Sequence, residues 1–125
     1  AGTVRDTLKH QRLLAQAQLD AKLYEQGRNT LQRIAQRKPD YDTWRQLAYL
    51  ELQLKRWSDM KRSIDQAVAL KPDAADLLLL RGIADINRAE YEQARSSFER
   101  ASAHSGTRDQ AKSWLNYLEQ LQGRS

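Results

Sequence analysis

Histidines, paired carboxylates and a serine beside a base would mark metal, acid–base or nucleophilic chemistry, and this sequence holds few of them at useful spacing. His10 and His104 stand near opposite ends of the chain, so they are not expected to share a metal ion or a proton relay. Each reads as a surface polar residue. Asp6 and His10 are spaced i, i+4, which suits a metal pair on one helix face and equally a helix-surface ion pair. The absence of cysteine removes thiolate metal sites, disulfides and cysteine nucleophiles. There is no Gly-rich phosphate loop and no Gly-x-Ser-x-Gly elbow, so phosphoryl and acyl transfer lack candidate residues. The chain is therefore expected to be no enzyme, with no catalytic residue, metal site or cofactor. Arg81 and Asp85, also i, i+4, read either as a polar handle in a groove or as a structural ion pair between repeats, the second being preferred.

Any binding side chains must be positioned by helices. The chain has 125 residues, 40% hydrophobic and 30% charged, with five Gly and two Pro. That composition excludes collagen-like, Pro-rich and charge-dominated disordered classes and fits one soluble, helix-rich core. No apolar run exceeds four residues, the length of Leu77 to Leu80, far short of the roughly 18 residues of a membrane span. The opening residues do not have the basic-then-apolar layout of a secretory signal, and a removed one would leave no trace. Lys38-Pro39-Asp40 recurs 33 residues later as Lys71-Pro72-Asp73, and the same offset carries Leu14-Ala15 onto Leu47-Ala48, Tyr24 onto Trp57 and Leu31 onto Ile64. A further 34 residues leads to Gly82, Tyr91 and Phe98. Between these markers apolar residues run at helical spacing, as in Leu47, Leu50, Leu54 and in Met60, Ile64, Ala67. The pattern predicts seven helices, near 4–22, 25–37, 41–55, 58–70, 74–88, 91–103 and 108–122. Asp40 and Asp73 are predicted N-caps, because the preceding Pro stops one helix and the carboxylate can accept free N–H groups of the next.

On these residues the sequence resembles the tetratricopeptide repeat family, whose helix–turn–helix units of about 34 residues stack into a right-handed superhelix. Residues 41–74 match best, with Trp44, Leu47-Ala48, Trp57, Met60, Ile64, Ala67 and Pro72 in the family register. Residues 75–108 carry Leu80-Arg81-Gly82, Tyr91, Ala94, Phe98 and Ala101. Residues 8–40 carry Leu14-Ala15, Tyr24, Gly27, Leu31 and Pro39, with Gln11 where a large apolar residue is usual. The resemblance implies an all-α domain over residues 1–125, made of three units and a capping helix near 108–122. Small residues are expected where the two helices of a unit cross, since bulk there pushes the axes apart. Ala15 with Gly27, Ala48 with Met60 and Gly82 with Ala94 occupy those places, Met60 being the bulky exception. Tyr24, Trp44, Trp57 and Tyr91 fall on packing positions and read as core rather than as stacking platforms, whereas Tyr49 does not. Trp114, Leu115, Leu118 and Leu121 give the last helix an apolar face suited to closing the array. Leu8, Leu14, Leu19 and Leu23 exceed what the partner of the first helix would cover, which suggests a preceding repeat, a bound partner or a shortened chain.

In this family the first helix of each unit lines a concave groove. Carried over by position, the first unit supplies Lys9, Arg12, Leu13, Gln16, Leu19 and Asp20. The second supplies Asp42, Arg45, Gln46, Tyr49, Leu52 and Gln53, and the third Asp76, Leu79, Leu80, Ile83, Ile86 and Asn87. Leu79, Leu80, Ile83 and Ile86 are expected to form an exposed patch or to pack on Trp114 and Tyr117. The carboxylate clamp by which some members hold acidic chaperone tails would use Arg12, Gln16 and Gln46, but Asp76 and Leu80 stand where the third unit should offer positive charge. That clamp is not expected. The candidate peptide-binding residues are Arg12, Gln16, Leu19, Arg45, Gln46, Tyr49, Leu52, Gln53, Leu79, Leu80, Ile83, Ile86 and Asn87, and the expected occupant is an amphipathic helix or extended peptide with an apolar anchor over Leu79, Ile83 and Ile86 and a polar or acidic flank reaching Arg12 and Arg45.

The net charge of +5 is concentrated in residues 28–62, where nine Arg or Lys face four acids. Arg28, Arg33, Arg37, Lys61 and Arg62 are expected on the convex surface as a solvated face, and nucleic acid is not an expected partner without a dense basic stripe and exposed aromatics. The reading is a non-catalytic protein-binding module within a bacterial multiprotein assembly, periplasmic or cytoplasmic with the periplasm somewhat ahead. Its rival is a scaffold segment or self-assembling homo-oligomer that docks through the uncapped first helix.

Overall fold

The computed structural model describes residues 4–123. Seven helices follow one another among them: α1 (Val4–Asp20), α2 (Tyr24–Arg37), α3 (Tyr41–Gln53), α4 (Trp57–Leu70), α5 (Ala75–Asn87), α6 (Tyr91–Ser102) and α7 (Arg108–Leu121). Every predicted helix is present, and no strand occurs among the described residues. α1 with α2, α3 with α4 and α5 with α6 form three helix–turn–helix units, and α7 closes the row.

The turn inside each unit is the same device repeated. Lys22, Lys55 and Ala89 take left-handed backbone, with φ of 62°, 58° and 58°. The following amide then reaches back to an orphan carbonyl: Leu23 N–H donates to Gln18, Arg56 to Glu51 and Glu90 to Asp85, each at 2.8 Å. This is the Schellman closure, which pairs carbonyls left over at a helix end. Glycine is the usual occupant of that position, since a side chain there costs about 1 kcal/mol, yet none of the three turns has it.

Between units the two linkers differ by one residue. Asp40 caps α3 as predicted, its Oδ1 accepting the Thr43 N–H at 2.8 Å. Asp73 does not cap α5. The turn closed by Ala74 N–H on the Lys71 carbonyl makes Ala74 the N-cap, without a side-chain bond, and moves Asp73 one position too early. That extra residue is the step from 33 to 34 in the repeat.

Three apolar clusters make up the core. Ala15, Leu31, Ile34, Ala35, Leu47 and Leu50 form the first, and Ala48, Met60, Ile64, Ala67, Leu77 and Ala84 are in the second. The third includes Leu78, Leu79, Ala94, Phe98, Ala101, Ala111 and Leu118. Trp44 packs against the first two and Val68 against the last two, so the clusters are continuous. Close approach within a unit is most severe at Gly82, where a Cβ would lie 2.5 Å from the Phe98 ring. Met60 is accommodated in full burial against Ala48.

The Leu77–Leu80 run is split between neighbours rather than presented on one face. Leu77 and Leu80 turn to the middle cluster, Leu78 and Leu79 to the last. The end helix covers that last cluster, with Trp114 stacked on Phe98 at 5.6 Å between ring centroids. At the other end Leu14 is 46% exposed, although its counterpart Leu47 is 1% exposed. Leu47 packs against Leu31, Ile34 and Ala35 of the preceding unit. Among the described residues no helix precedes α1 to do the same for Leu14.

Candidate functional site

Direct side-chain bonds join α1 to α3 and α3 to α5, which sets the first helices of the units side by side. Arg12 donates to Thr43 Oγ1 at 3.4 Å and to Asp40 Oδ2 at 3.4 Å. One unit later Arg45 donates to Asp76 Oδ2 at 3.2 Å, and the Tyr49 hydroxyl donates to the same oxygen at 3.0 Å. Arg45 and Arg12 share a register position, but their acceptors do not: the counterpart of Asp76 in the second unit is Asp42, whereas Arg12 reaches Thr43 and Asp40. The Arg45 guanidinium also lies over the Tyr49 ring, 4.7 Å from its centroid, where the ring quadrupole attracts it. Burial and the hydrogen bond to Asp76 raise the Tyr49 phenol above its ordinary range. Burial alone would raise Asp40 too, but the Thr43 hydrogen bonds and the Arg12 and Lys38 charges bring its carboxyl below the ordinary value.

The other candidate residues divide by accessibility. Tyr49, Gln46 and Gln53 are exposed, and Leu52, Leu80, Ile83 and Ile86 are half-buried, each resting on a core cluster with part of its surface open. Leu79 is a correction: at 8% exposure it belongs to the core, because α7 covers it. Leu80 is likewise no exposed patch, since the middle cluster takes most of it. Leu19 is half-buried against Gly27, Gln16 donates to Asp20 at 2.9 Å, and Asn87 donates to the Ile83 carbonyl at 2.9 Å.

Beyond Ile83 the row ends in an open cleft of about 440 Å³ lined by Ile86, Asn87, Ser113, Trp114 and Tyr117. Ser113 was absent from the sequence-derived site, and Trp114 and Tyr117 entered it only as packing partners. Continuing the positional count of the third unit into α7 would have placed all three in the row.

Sequence reasoning also missed a second set of charges, buried between units. Arg28 donates to Glu51 at 2.9 Å and pairs with Asp59 at 3.3 Å, and the Ser63 hydroxyl donates to Glu51 at 2.6 Å. One unit on, Lys61 meets Asp85 and Glu90, both at 2.6 Å. Arg95 then pairs with Glu119 at 3.7 Å and donates to Gln122 at 2.7 Å. Arg28 and Lys61 are therefore not solvated surface charges; the following unit covers them. Arg81 is a structural residue as preferred, held by Asp65 at 2.7 Å, Ser97 at 3.1 Å and Asp85 at 3.5 Å. Burial pushes the Glu51 and Asp85 carboxyls up. Lys61 and Arg88 hold Glu90 down, while for Asp59 the Arg56 and Arg62 hydrogen bonds and the Arg28 charge outweigh burial and bring it down.

Among the described residues no group of three His, Cys, Asp or Glu could hold a metal ion, and the Asp6 side chain of the Asp6–His10 pair lies outside them. Among the described residues no helix is long and apolar enough to cross a membrane.

No protein-family model matches the sequence, and no curated protein is significantly similar to it. Solved structures are. MamA is 16% identical with a TM-score of 0.80, over 87% of this chain and 64% of its own, so the chain spans just under two thirds of MamA. The first TPR of Spaghetti (RPAP3), bound to the HSP90 peptide SRMEEVD, is 16% identical with a TM-score of 0.76 over 93% of both chains. The Yersinia enterocolitica type III secretion chaperone SycD, in complex with a peptide of the translocator YopD, is 14% identical with a TM-score of 0.76 over 94% of this chain and 95% of its own.

Proposed function

From the premise that the chain has the tetratricopeptide repeat fold, three units and a closing helix, we propose that it is a non-catalytic module that binds a peptide or helix of a protein partner along α1, α3, α5 and α7. The observation that carries this is the run of half-exposed apolar side chains Leu52, Ile83 and Ile86, leading into the cleft floored by Trp114 and Tyr117. Apolar side chains with open surface beside a concave, partly aromatic cleft suit the anchor residues of a peptide, while Gln46 and Gln53 offer amides to its backbone. The peptide complexes of RPAP3 and SycD support the same use of the fold, and the bacterial chaperone supports a setting in a bacterial multiprotein assembly. Residues 1–125 would form one domain, with units at about 8–40, 41–74 and 75–108. A protein partner is favoured over nucleic acid because Arg28 and Lys61 of the basic segment are already engaged inside the array.

The test is a display selection with a random peptide library on the immobilised protein. Selected peptides should lose at least tenfold in affinity, about 1.4 kcal/mol, on Ile83→Glu while helical circular dichroism stays unchanged. Peptides that bind the variant as well as the parent would remove the groove from the proposal.

The exposed Leu13 and Leu14 on α1 favour a second reading, a scaffold segment that docks through its first helix. Light scattering decides it: a mass that rises with concentration and falls back on Leu14→Lys supports docking, and a monomer throughout opposes it.

A further inference from the structure

We propose that Asp76 is a built-in carboxylate that keeps acidic peptides off Arg45, so that the partner segment crossing this part of the groove is neutral or apolar. This inference rests on the groove reading above and names the class of its ligand.

Arg45 is the cation an acidic peptide would seek on α3, and its side chain is open to solvent at the groove surface. It is not free. Asp76 Oδ2 accepts both the Arg45 guanidinium and the Tyr49 hydroxyl, so one oxygen uses the two donors that an incoming carboxylate would need. A carboxylate from outside would only exchange one such bond set for another, and the displaced Asp76, fixed on the first turn of α5, would remain beside it as a like charge. A neutral segment meets no such competition. It can lie over Tyr49, Leu52 and Ile83 with the Arg45–Asp76 pair intact. Specificity here comes from a repulsive element as much as from attraction. The equivalent arginine of the neighbouring unit, Arg12, is likewise engaged within the array, by Asp40 and Thr43.

Asp76→Thr replaces the carboxylate by a neutral hydroxyl, and Asp76→Asn removes the charge at nearly constant shape. The probe is the acidic peptide SRMEEVD, followed by fluorescence anisotropy, with circular dichroism to verify folding. The parent should bind it weakly, and both variants at least tenfold more tightly. That gain should shrink with added salt and disappear when Arg45→Gln is combined with Asp76→Thr. Equal affinity in the parent and both folded variants would overturn the proposal, as would a gain that survives Arg45→Gln. The display selection separates this outcome from failure of the groove itself. Acid-rich peptides that are lost on Ile83→Glu but indifferent to residue 76 would leave the groove standing and refute the role of Asp76. Peptides indifferent to Ile83→Glu would refute the groove and, with it, this inference.

Discussion

The buried ion pairs recur in register from unit to unit, as Arg28–Glu51, Lys61–Asp85 and Arg95–Glu119, whereas the groove arginines Arg12 and Arg45 recur with acids at unlike positions, Asp40 and Asp76. Arg28 and Glu51 meet with side chains 8% and 2% exposed, whereas Arg45 and Asp76 meet with side chains 45% and 41% exposed. The residue types and distances are nearly alike. Inside the array each charge has lost its water, so either partner left alone is severely penalised, and Ser63 and Asp59 complete the coordination. In the groove the same attraction is screened and contributes little to folding. The difference teaches that the inner pairs are placed to lock the spacing of the units, while the outer pair stays open to solvent, where the proposed partner would meet it.

Breaking an inner pair should produce the largest effect. Glu51→Ala leaves Arg28 buried with Asp59 as its remaining partner and should cost about 3 kcal/mol, read as a lower urea midpoint with little change in slope. A loss below 1 kcal/mol would erase the distinction between the two sets.

The second effect is one of pH. Glu51 and Asp85 are held above their ordinary values of 4.5 and 3.8. Their contribution is therefore fully present below those values and is lost as pH rises through the folded values. Asp40, Asp59 and Glu90 are held below their ordinary values, so their contribution is present above them and is lost as pH falls further. Stability should thus rise from strong acid to a maximum near the ordinary carboxylate range and decline toward neutrality. Glu51→Gln should flatten the declining limb and leave the acid limb in place. Thermal melts at a series of pH values in constant salt check both limbs.

Asp76→Thr should have the smallest effect, below about 0.5 kcal/mol on stability, since the pair is exposed and a helix-start carboxylate contributes only tenths. Together with a changed affinity for SRMEEVD, such a null result in denaturation would sharpen the contrast between holding and recognising.

Much of the architecture was legible in the chain itself. The recurrence of Lys-Pro-Asp, of Leu-Ala and of aromatic residues at 33 and 34 positions specifies the units because each must present the same face to its neighbour. The fate of Leu79 was not legible. Helical periodicity tells which side of α5 is apolar, but α5 is covered from two sides, so the run Leu77 to Leu80 is shared between two clusters. Nor was the inner ladder recognised, because the partners of Arg28 and Lys61 lie more than 20 residues away on the next unit. Read one helix at a time, those cations look solvated. Tyr49, by contrast, stood apart in the sequence as an aromatic residue off the packing register, and it is exposed beside Arg45.

By itself, then, the sequence determined the helices, their number and the period at which they stack, because these follow from local backbone preference and apolar spacing. Tertiary structure alone decided which charges are buried and which are open, which leucines stay half-exposed, and that Trp114 and Tyr117 line a cleft beside Ile86. Burial and pairing belong to the contact between units, and one stretch of chain does not carry the position of its neighbour.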